Sequence, residues 1–206
     1  GINVKAVFGV KPHPDFTSLA EAPRTIFNVN VTPQRRVATQ ATSLERLKAI
    51  GEAAGGSIND VVLAASSGAM RRFLLELGEL PRKSLVTSIP VALPRDSSQA
   101  GGNAISFAKV RLGTDMEDVR ERFDVIRRSS TAGREFLKQM STKTLMDYTV
   151  LISSPQILTR LPGIGSRVPP TYNVIISNVP GPRGKLYFMG SEMEAYYPIS
   201  ALFHGQ

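Results

Sequence analysis

The chain of 206 residues contains no cysteine and only two histidines. Without cysteine it can form no disulfide, and it has no thiolate to act as a nucleophile or a metal ligand. The histidines, His13 and His204, do not have the spacing of a metal-binding pair. The sequence therefore predicts no metal site and no cysteine-based active site.

Long apolar runs are also missing from the sequence. No continuous apolar segment approaches the roughly 20 residues that a membrane-spanning helix needs, and no signal peptide leads the chain. We therefore expect a cytoplasmic protein whose contact with a membrane or a lipid droplet is peripheral.

Acidic residues are outnumbered by basic ones, which gives a formal net charge of +8. This charge favours an anionic partner, such as a nucleic acid, an anionic membrane or lipid-droplet surface, or a phosphate-bearing small molecule. Zinc-finger spacing, an aromatic RNA-binding signature and a basic low-complexity tail are all missing, so we predict no nucleic-acid binding. The hydrophobic content of 42% is typical of a globular domain.

Strand and helix patterns alternate along the chain. Residues 1–24 contain Pro12, Pro14 and Pro23 and are predicted to be an irregular lead-in, and residues 25–206 are predicted to form one lobe. The residue patterns predict strands and helices over the following ranges: strands at 25–31, 85–93, 103–112, 172–179, 186–189 and 193–202, a helix at 115–129 that begins with the capping box Thr114-x-x-Glu117, and two helical pieces at 142–161 with a kink at Pro155. The sequence therefore predicts an α/β fold, with a mixed sheet covered by helices.

A long, mostly buried helix is predicted from Ser57 to about Leu77. Ser57 and Asp60 have the spacing of an N-terminal cap, in which Asp60 also lies at the positive end of the helix dipole. Asn59 is a polar residue in the first turn of this apolar helix. It is either a structural asparagine or a donor directed into a cavity where negative charge develops.

Two further segments allow two interpretations each. Arg120, Arg127 and Arg128 lie on the predicted helix at 115–129, where they form either a solvated face or a patch for the phosphates of a small molecule or for lipid headgroups. The apolar segment at 142–161 is either core or, in part, the wall of a tunnel.

Three sequence blocks resemble a known family. They are Ser-Ile-Asn-Asp-Val-Val-Leu-Ala from Ser57, Arg-Arg-Phe-Leu from Arg71, and Ser-Asn-Val-Pro-Gly-Pro from Ser177. Over roughly residues 23–206 the chain resembles the carboxy-terminal half of bacterial wax ester synthase/diacylglycerol acyltransferases. The resemblance implies the second lobe of a two-lobed, chloramphenicol acetyltransferase-like fold, with the lobe incomplete at its end and the amino-terminal lobe absent.

The activity implied by the resemblance is O-acyl transfer from acyl-coenzyme A to a long-chain alcohol or a diacylglycerol. The acyl-coenzyme A is a substrate, and no cofactor is expected. In the family a His-His-x-x-x-Asp-Gly motif supplies the general base, and this motif does not occur in the chain. We therefore expect the base to lie in the amino-terminal lobe, which is the main partner, and the fragment alone to be inactive.

The resemblance also assigns roles to individual residues. Asn59 is expected to face the reacting centre, as an oxyanion donor or in substrate positioning, whereas the structural motif residues are Asp60, Asn178, Pro180, Gly181 and Pro182. An acyl or acceptor tunnel is expected beside Leu145, Met146, Thr149 and Val150. Two alternatives remain, a non-catalytic binding lobe of the same fold and a condensation-type enzyme that acts on carrier-protein thioesters.

Overall fold

The computed structural model describes residues 11–92, 105–158, 169–182 and 184–199. In these residues the chain forms helices and strands with the following bounds: α1 Leu44–Ala53, α2 Ile58–Glu76, α3 Val119–Lys138, α4 Thr142–Leu158, β1 Val86–Ala92, β2 Ile105–Arg111, β3 Val174–Ile175, β4 Tyr187–Phe188 and β5 Ser191–Glu192. The mixture of helices and strands confirms the predicted fold class.

The main sheet has the strand order β2-β1-β3. Strands β1 and β2 are antiparallel, with Val86 opposite Arg111 and Ala92 opposite Ile105. Strand β3 runs parallel to β1 and pairs only with Thr87 and Ser88. The sheet is therefore mixed, as the sequence predicts, and β4 and β5 form a separate hairpin.

One face of the sheet carries the hydrophobic core. Because side chains alternate along a strand, Ile89 of β1 and Ala108 and Val110 of β2 point to the same face, where they join buried residues of the helices. Helix α3 lies close to β2, since a Cβ atom built on Gly133 would be 3.1 Å from Cβ of Ala108. The opposite face carries Ser88 and Lys109, which are paired across the two strands.

Pro90 occupies a position on β1 where its missing amide is tolerated. The carbonyl oxygens of Val86 and Ser88 accept hydrogen bonds from Asn173 and Ile176, so alternate residues of β1 direct their backbone groups toward the β3 side. Pro90 is the next residue in this series, and the pairing of β1 with β3 ends before it, at Ser88. Within the described residues, the proline therefore lies where pairing on that side has ended.

The strand predictions outside β1 and β2 are partly wrong. Residues 25–31 form no strand. The chain turns at residues 26–29, because the amide and hydroxyl of Thr25 both donate to Oδ1 of Asn28 and close the chain locally. The strand predicted at 172–179 shortens to β3, and the one at 186–189 to β4. Residues 193–199 form no strand, and the end of that prediction, 200–202, lies outside the described residues.

The start of α3 and the predicted kink in α4 also differ from the sequence prediction. Helix α3 begins after Asp118, whose carboxylate accepts from the amides of Arg120 and Glu121, and not at the predicted Thr114 cap. The Thr114 hydroxyl instead accepts a hydrogen bond from the amide of Leu85. Helix α4 continues through Pro155 without a break, and the Ser154 hydroxyl donates to Leu151 O, the carbonyl that a proline at 155 cannot bond.

The irregular segment at 11–28 is bonded to the rest of the lobe. The Thr17 hydroxyl lies 2.8 Å from that of Ser129 on α3, and Asp15 forms ion pairs with Arg111 at 3.8 Å and Arg128 at 3.6 Å. This segment thus covers the junction of β2 and α3.

Among the described helices, none is long and apolar enough to cross a membrane.

Candidate active site at the start of helix α2

The first turn of α2 is closed by the capping box that the sequence predicts. The Ser57 hydroxyl accepts a hydrogen bond from the amide of Asp60 at 3.3 Å and donates one to Oδ2 of Asp60 at 2.7 Å. The amide of Ser57 donates to the same carboxylate oxygen at 2.9 Å. Two backbone donors that a helix start leaves unpaired are therefore satisfied, and the start of α2 is fixed.

The other oxygen of the Asp60 carboxylate is held from α3. The Ser130 hydroxyl donates to Oδ1 of Asp60 at 2.6 Å, and both residues are buried. A buried carboxylate is tolerated only when hydrogen-bond donors replace its water. Sequence reasoning missed Ser130, because a serine within an amphipathic helix gives no signal of a partner 70 residues away.

Close packing also holds α3 against this helix start. A Cβ atom built on Gly56 would lie 2.6 Å from Cζ of Phe123, so any side chain at this position would require the ring to move. Gly55 has a φ angle of 64°, a left-handed conformation that glycine adopts without strain. The two glycines therefore let the chain turn from α1 into α2 directly beneath the Phe123 ring.

Asn59, next to Asp60 in the same turn, is in a different situation. Its side-chain nitrogen Nδ2 is inaccessible to solvent and has no hydrogen-bond partner among the described residues. An unpaired buried donor costs about 1–3 kcal/mol. Chemically, an amide N–H at the positive end of a helix dipole can stabilise negative charge that develops on an oxygen atom.

The predicted tunnel residues divide between two faces of α4. Leu145 is part of the core, and the Thr149 hydroxyl donates to Leu145 O at 2.7 Å and lies 3.0 Å from the Ser106 hydroxyl on β2. Met146 and Val150 lie on the outer face and are exposed. The four residues therefore do not line one surface within the described part of the chain.

The predicted basic patch is partly neutralised. Arg128 pairs with Asp15 at 3.6 Å, and Arg127 pairs with Asp124 at 3.4 Å. Arg120 is exposed and belongs to no ion pair within the described ranges. Arg127 and Arg128 are thus paired with carboxylates, whereas Arg120 is not part of an ion pair among the described residues.

The Asn-Val-Pro-Gly-Pro motif lies in a loop after β3. Its residues Asn178, Pro180, Gly181 and Pro182 are all exposed. The nearest atom to a Cβ built on Gly181 is the Tyr196 hydroxyl, at 3.9 Å. The motif thus presents an open surface in the described lobe.

His13 is the one histidine among the described residues, and it lies in the segment before α1. Nδ1 of His13 accepts a hydrogen bond from the amide of Asp15 at 3.1 Å, and the imidazole is exposed. Within residues 11–92, 105–158, 169–182 and 184–199, no three histidine or carboxylate residues converge as metal ligands would. His204 lies outside the described residues.

Lys109 is a buried cation that the sequence analysis missed. Its side chain is 1% exposed, its Nζ donates to Oγ of Ser88 at 3.3 Å, and Nζ lies 3.9 Å from the centre of the Tyr172 ring. Burial lowers the pKa of Lys109 to about 7. The alternation Lys109-Val110-Arg111 resembles a solvated strand face, which hid the lysine from prediction.

Two family models match the chain. The model of the wax ester synthase/diacylglycerol acyltransferase C-terminal domain matches residues 101–206. The model of the catalytic domain of the same enzymes matches residues 7–62, a range that includes Asn59 and Asp60.

Individual proteins give the same result. A putative diacylglycerol O-acyltransferase of Mycobacterium tuberculosis is 41% identical over 189 residues, which are 90% of this chain and 38% of that protein. The O-acyltransferase WSD of Acinetobacter baylyi is 35% identical over 94% of this chain and 42% of its own length. The solved wax ester synthase/diacylglycerol acyltransferase from Marinobacter aquaeolei VT8 superposes with a TM-score of 0.70 and 34% identity, over 84% of this chain and 39% of that one. The chain thus spans about two-fifths of the length of these relatives.

The buried Lys109 predicts how stability depends on pH. The unfolded chain keeps the proton on this lysine up to its ordinary pKa of 10.5, whereas the folded chain releases it near pH 7. Unfolding between these values takes up a proton, so the free energy of unfolding rises with pH, by up to about 1.4 kcal/mol per pH unit. Lys109→Met should remove this rise and should stabilise the protein most at and below pH 7.

Urea unfolding of both proteins at several values between pH 6 and pH 10 measures this effect. The control is Lys48→Met, because Lys48 is exposed on α1 and its loss should leave the slope of the wild type unchanged. Parallel curves for Lys109→Met and the wild type would mean that Lys109 keeps its proton when folded.

Proposed function

The chain belongs to the wax ester synthase/diacylglycerol acyltransferase family, and from this premise we propose that it is the carboxy-terminal lobe of an O-acyltransferase. The whole enzyme transfers a long fatty acyl group from acyl-coenzyme A to a long-chain alcohol, which gives a wax ester, or to a diacylglycerol, which gives a triacylglycerol. The family match over residues 101–206 and the 41% identity to a putative diacylglycerol O-acyltransferase support this proposal.

The reaction is a direct acyl transfer. A histidine of the amino-terminal lobe takes the proton from the acceptor hydroxyl, and the oxygen attacks the thioester carbonyl. The carbonyl oxygen then carries negative charge until the carbon–sulfur bond breaks and coenzyme A leaves as the thiol, with the proton that the histidine took from the acceptor. This chain has to supply hydrogen-bond donors to that oxygen and to bind the apolar substrates.

The unpaired side-chain amide of Asn59 is the main observation behind the catalytic role that we propose for this lobe. Its Nδ2 is shielded from water and lacks a partner among the described residues, and it lies at the N-terminal end of α2. A preorganised donor in such a place stabilises a developing oxyanion without reorganisation. We assign Asn59 the role of oxyanion donor, and Asp60 the structural role of fixing the helix start that carries it.

The remaining site residues serve the substrates. Met146 and Val150 give α4 an exposed apolar face that suits one wall of an acyl or acceptor tunnel, and Leu145 supports it from the core. The exposed guanidinium group of Arg120 could bind a coenzyme A phosphate or a lipid headgroup in this proposal. Asn178, Pro180, Gly181 and Pro182 shape the loop after β3.

Asn59 and Asp60 should respond differently to substitution. In the complete enzyme, Asn59→Ala should preserve the fold and slow ester formation by roughly 10²–10³, as loss of one oxyanion donor does. Asp60→Ala should instead lower the free energy of unfolding by about 0.5–2 kcal/mol, because the cap is lost, with a smaller effect on turnover per folded molecule. Thermal unfolding and single-turnover ester formation measure the two effects.

The matched control is Asn28→Ala, since Asn28 is a buried asparagine whose amide donates to Tyr172 O at 3.1 Å and whose oxygen accepts from Asn173 at 2.7 Å. This variant should melt early and keep its rate per folded molecule. If Asn59→Ala behaves as Asn28→Ala does, Asn59 is a structural asparagine and the catalytic assignment fails.

Residues 1–206 alone should have no acyltransferase activity. The chain contains His13 and His204 and no His-His-x-x-x-Asp-Gly motif, so it lacks the proposed general base. The measurement is release of coenzyme A from a long-chain acyl-coenzyme A in the presence of a long-chain alcohol. Adding the amino-terminal lobe should restore turnover, and ester formation by the fragment would disprove the assignment of the base to that lobe.

We also propose peripheral attachment to anionic membranes or lipid droplets. The net charge of +8 and the exposed side chains of Phe188 and Met189 at the β4–β5 turn support it. Flotation with vesicles that contain anionic lipid should recover the protein at low salt and lose it as salt is raised, because attraction to the surface is screened. Equal recovery with neutral vesicles, or binding that salt does not weaken, would contradict an electrostatic attachment.

A further inference from the structure

We propose that Ser130 is a positioning residue for Asn59 and acts through the carboxylate of Asp60. The inference rests on the proposed function, because it takes Asn59 to be the oxyanion donor. Ser130 itself touches no substrate in this scheme. Its hydroxyl sets the position of the first turn of α2, and with it the direction of the Asn59 amide.

The contact geometry supports this role. The Asp60 carboxylate is shared between two parts of the lobe: Oδ2 accepts from the amide and hydroxyl of Ser57 at 2.9 and 2.7 Å, and Oδ1 accepts from the Ser130 hydroxyl at 2.6 Å. The Ser57 bonds lie within the helix start and move with it. The Ser130 bond is the one of these three that ties the start of α2 to another element.

Helix α3 provides a fixed reference for this bond. Its Gly133 packs against Ala108 of β2, and its Ile126 and Phe136 are buried in the core that the sheet carries. The helix is thus docked on the sheet at several points along its length. Ser130 transmits the position of that docked helix to Asp60.

Asn59 is adjacent to Asp60 in the first turn of α2, so a displacement of Asp60 also displaces Asn59. Catalytic groups lose efficiency steeply with displacement, and a misplacement of about 1 Å can cost 10²-fold in rate. Without the Ser130 hydroxyl, Oδ1 of Asp60 has to find another donor, which requires the turn to shift or water to enter. The expected result is a loss of kcat with a smaller change in KM, since an oxyanion donor acts mainly in the transition state.

Ser129 is a matched control on the same helix. Both serines are 0% exposed, yet the Ser129 hydroxyl contacts Thr17 at 2.8 Å and the amide of Arg111 instead of Asp60. Ser129→Ala therefore removes an equally buried hydroxyl that does not reach α2. It should lower thermal stability and leave kcat per folded molecule within about twofold of the wild type.

The experiment uses the complete two-lobed enzyme with a long-chain acyl-coenzyme A and a long-chain alcohol, and corrects each rate for the folded fraction. Ser130→Ala should lower kcat on the order of tenfold, less than the roughly 10²-fold loss that a full misplacement causes. If Ser130→Ala does not fold, Ser130→Cys replaces it, because a thiol is close in shape and is only a weak donor. An unchanged kcat in the folded variant overturns the inference.

A double-mutant cycle separates this inference from the proposed function. If Ser130 acts through Asn59, then adding Ser130→Ala to Asn59→Ala should reduce kcat by less than twofold more, because the donor that it positions is already gone. If the two losses multiply, Ser130 acts independently and the inference is wrong, although Asn59 keeps its role. If Asn59→Ala alone has no effect on kcat, the proposed function of Asn59 fails first, and this positioning role fails with it.

Discussion

The buried carboxylate of Asp60 is the constraint on which the arrangement of α2 and α3 depends. Removing a carboxylate from water costs several kcal/mol, and hydrogen-bond donors at good geometry have to offset that cost. Here the donors come from Ser57 at the helix start and from Ser130 on α3. A shift of α3 along α2 would leave Oδ1 unpaired in the interior. The hydrogen bond from Ser130 to Asp60 therefore holds the two helices in register, and the contact of the Phe123 ring with Gly56 sets the distance between them.

Features that depend on neighbours in the sequence could be predicted. The capping box of Ser57 and Asp60 requires a spacing of three residues, and α2, β1 and β2 follow from their apolar patterns. The same reasoning failed where a local pattern had a distant competitor. Thr114 and Glu117 have capping-box spacing, but the Thr114 hydroxyl is buried and bonded to the amide of Leu85, so Asp118 caps α3 instead.

Only part of the candidate site could be found from the sequence for the same reason. Asn59 and Asp60 were found because a polar pair at the start of an apolar helix is a local anomaly. Ser130 and Lys109 were missed because each is defined by contacts with residues far away in the sequence, Asp60 for Ser130 and Ser88 and Tyr172 for Lys109. A period-two pattern cannot tell a strand face that meets water from one that a distant segment covers.

The carboxylate of Asp60, the ammonium group of Lys109 and the Nδ2 atom of Asn59 are buried polar groups, and the cost of their burial is relieved in different ways. Both carboxylate oxygens of Asp60 accept hydrogen bonds from the protein, which offsets the cost of burying this side chain. Lys109 has a hydroxyl and an aromatic ring beside it, and it can also lose its charge, since burial brings its pKa to about 7. Asn59 has neither remedy: its amide does not titrate, and its Nδ2 has no partner among the described residues. An unpaired donor is what the proposed oxyanion role of Asn59 requires, because in that proposal its acceptor, the oxygen of a thioester as it becomes negatively charged, is present only during the reaction.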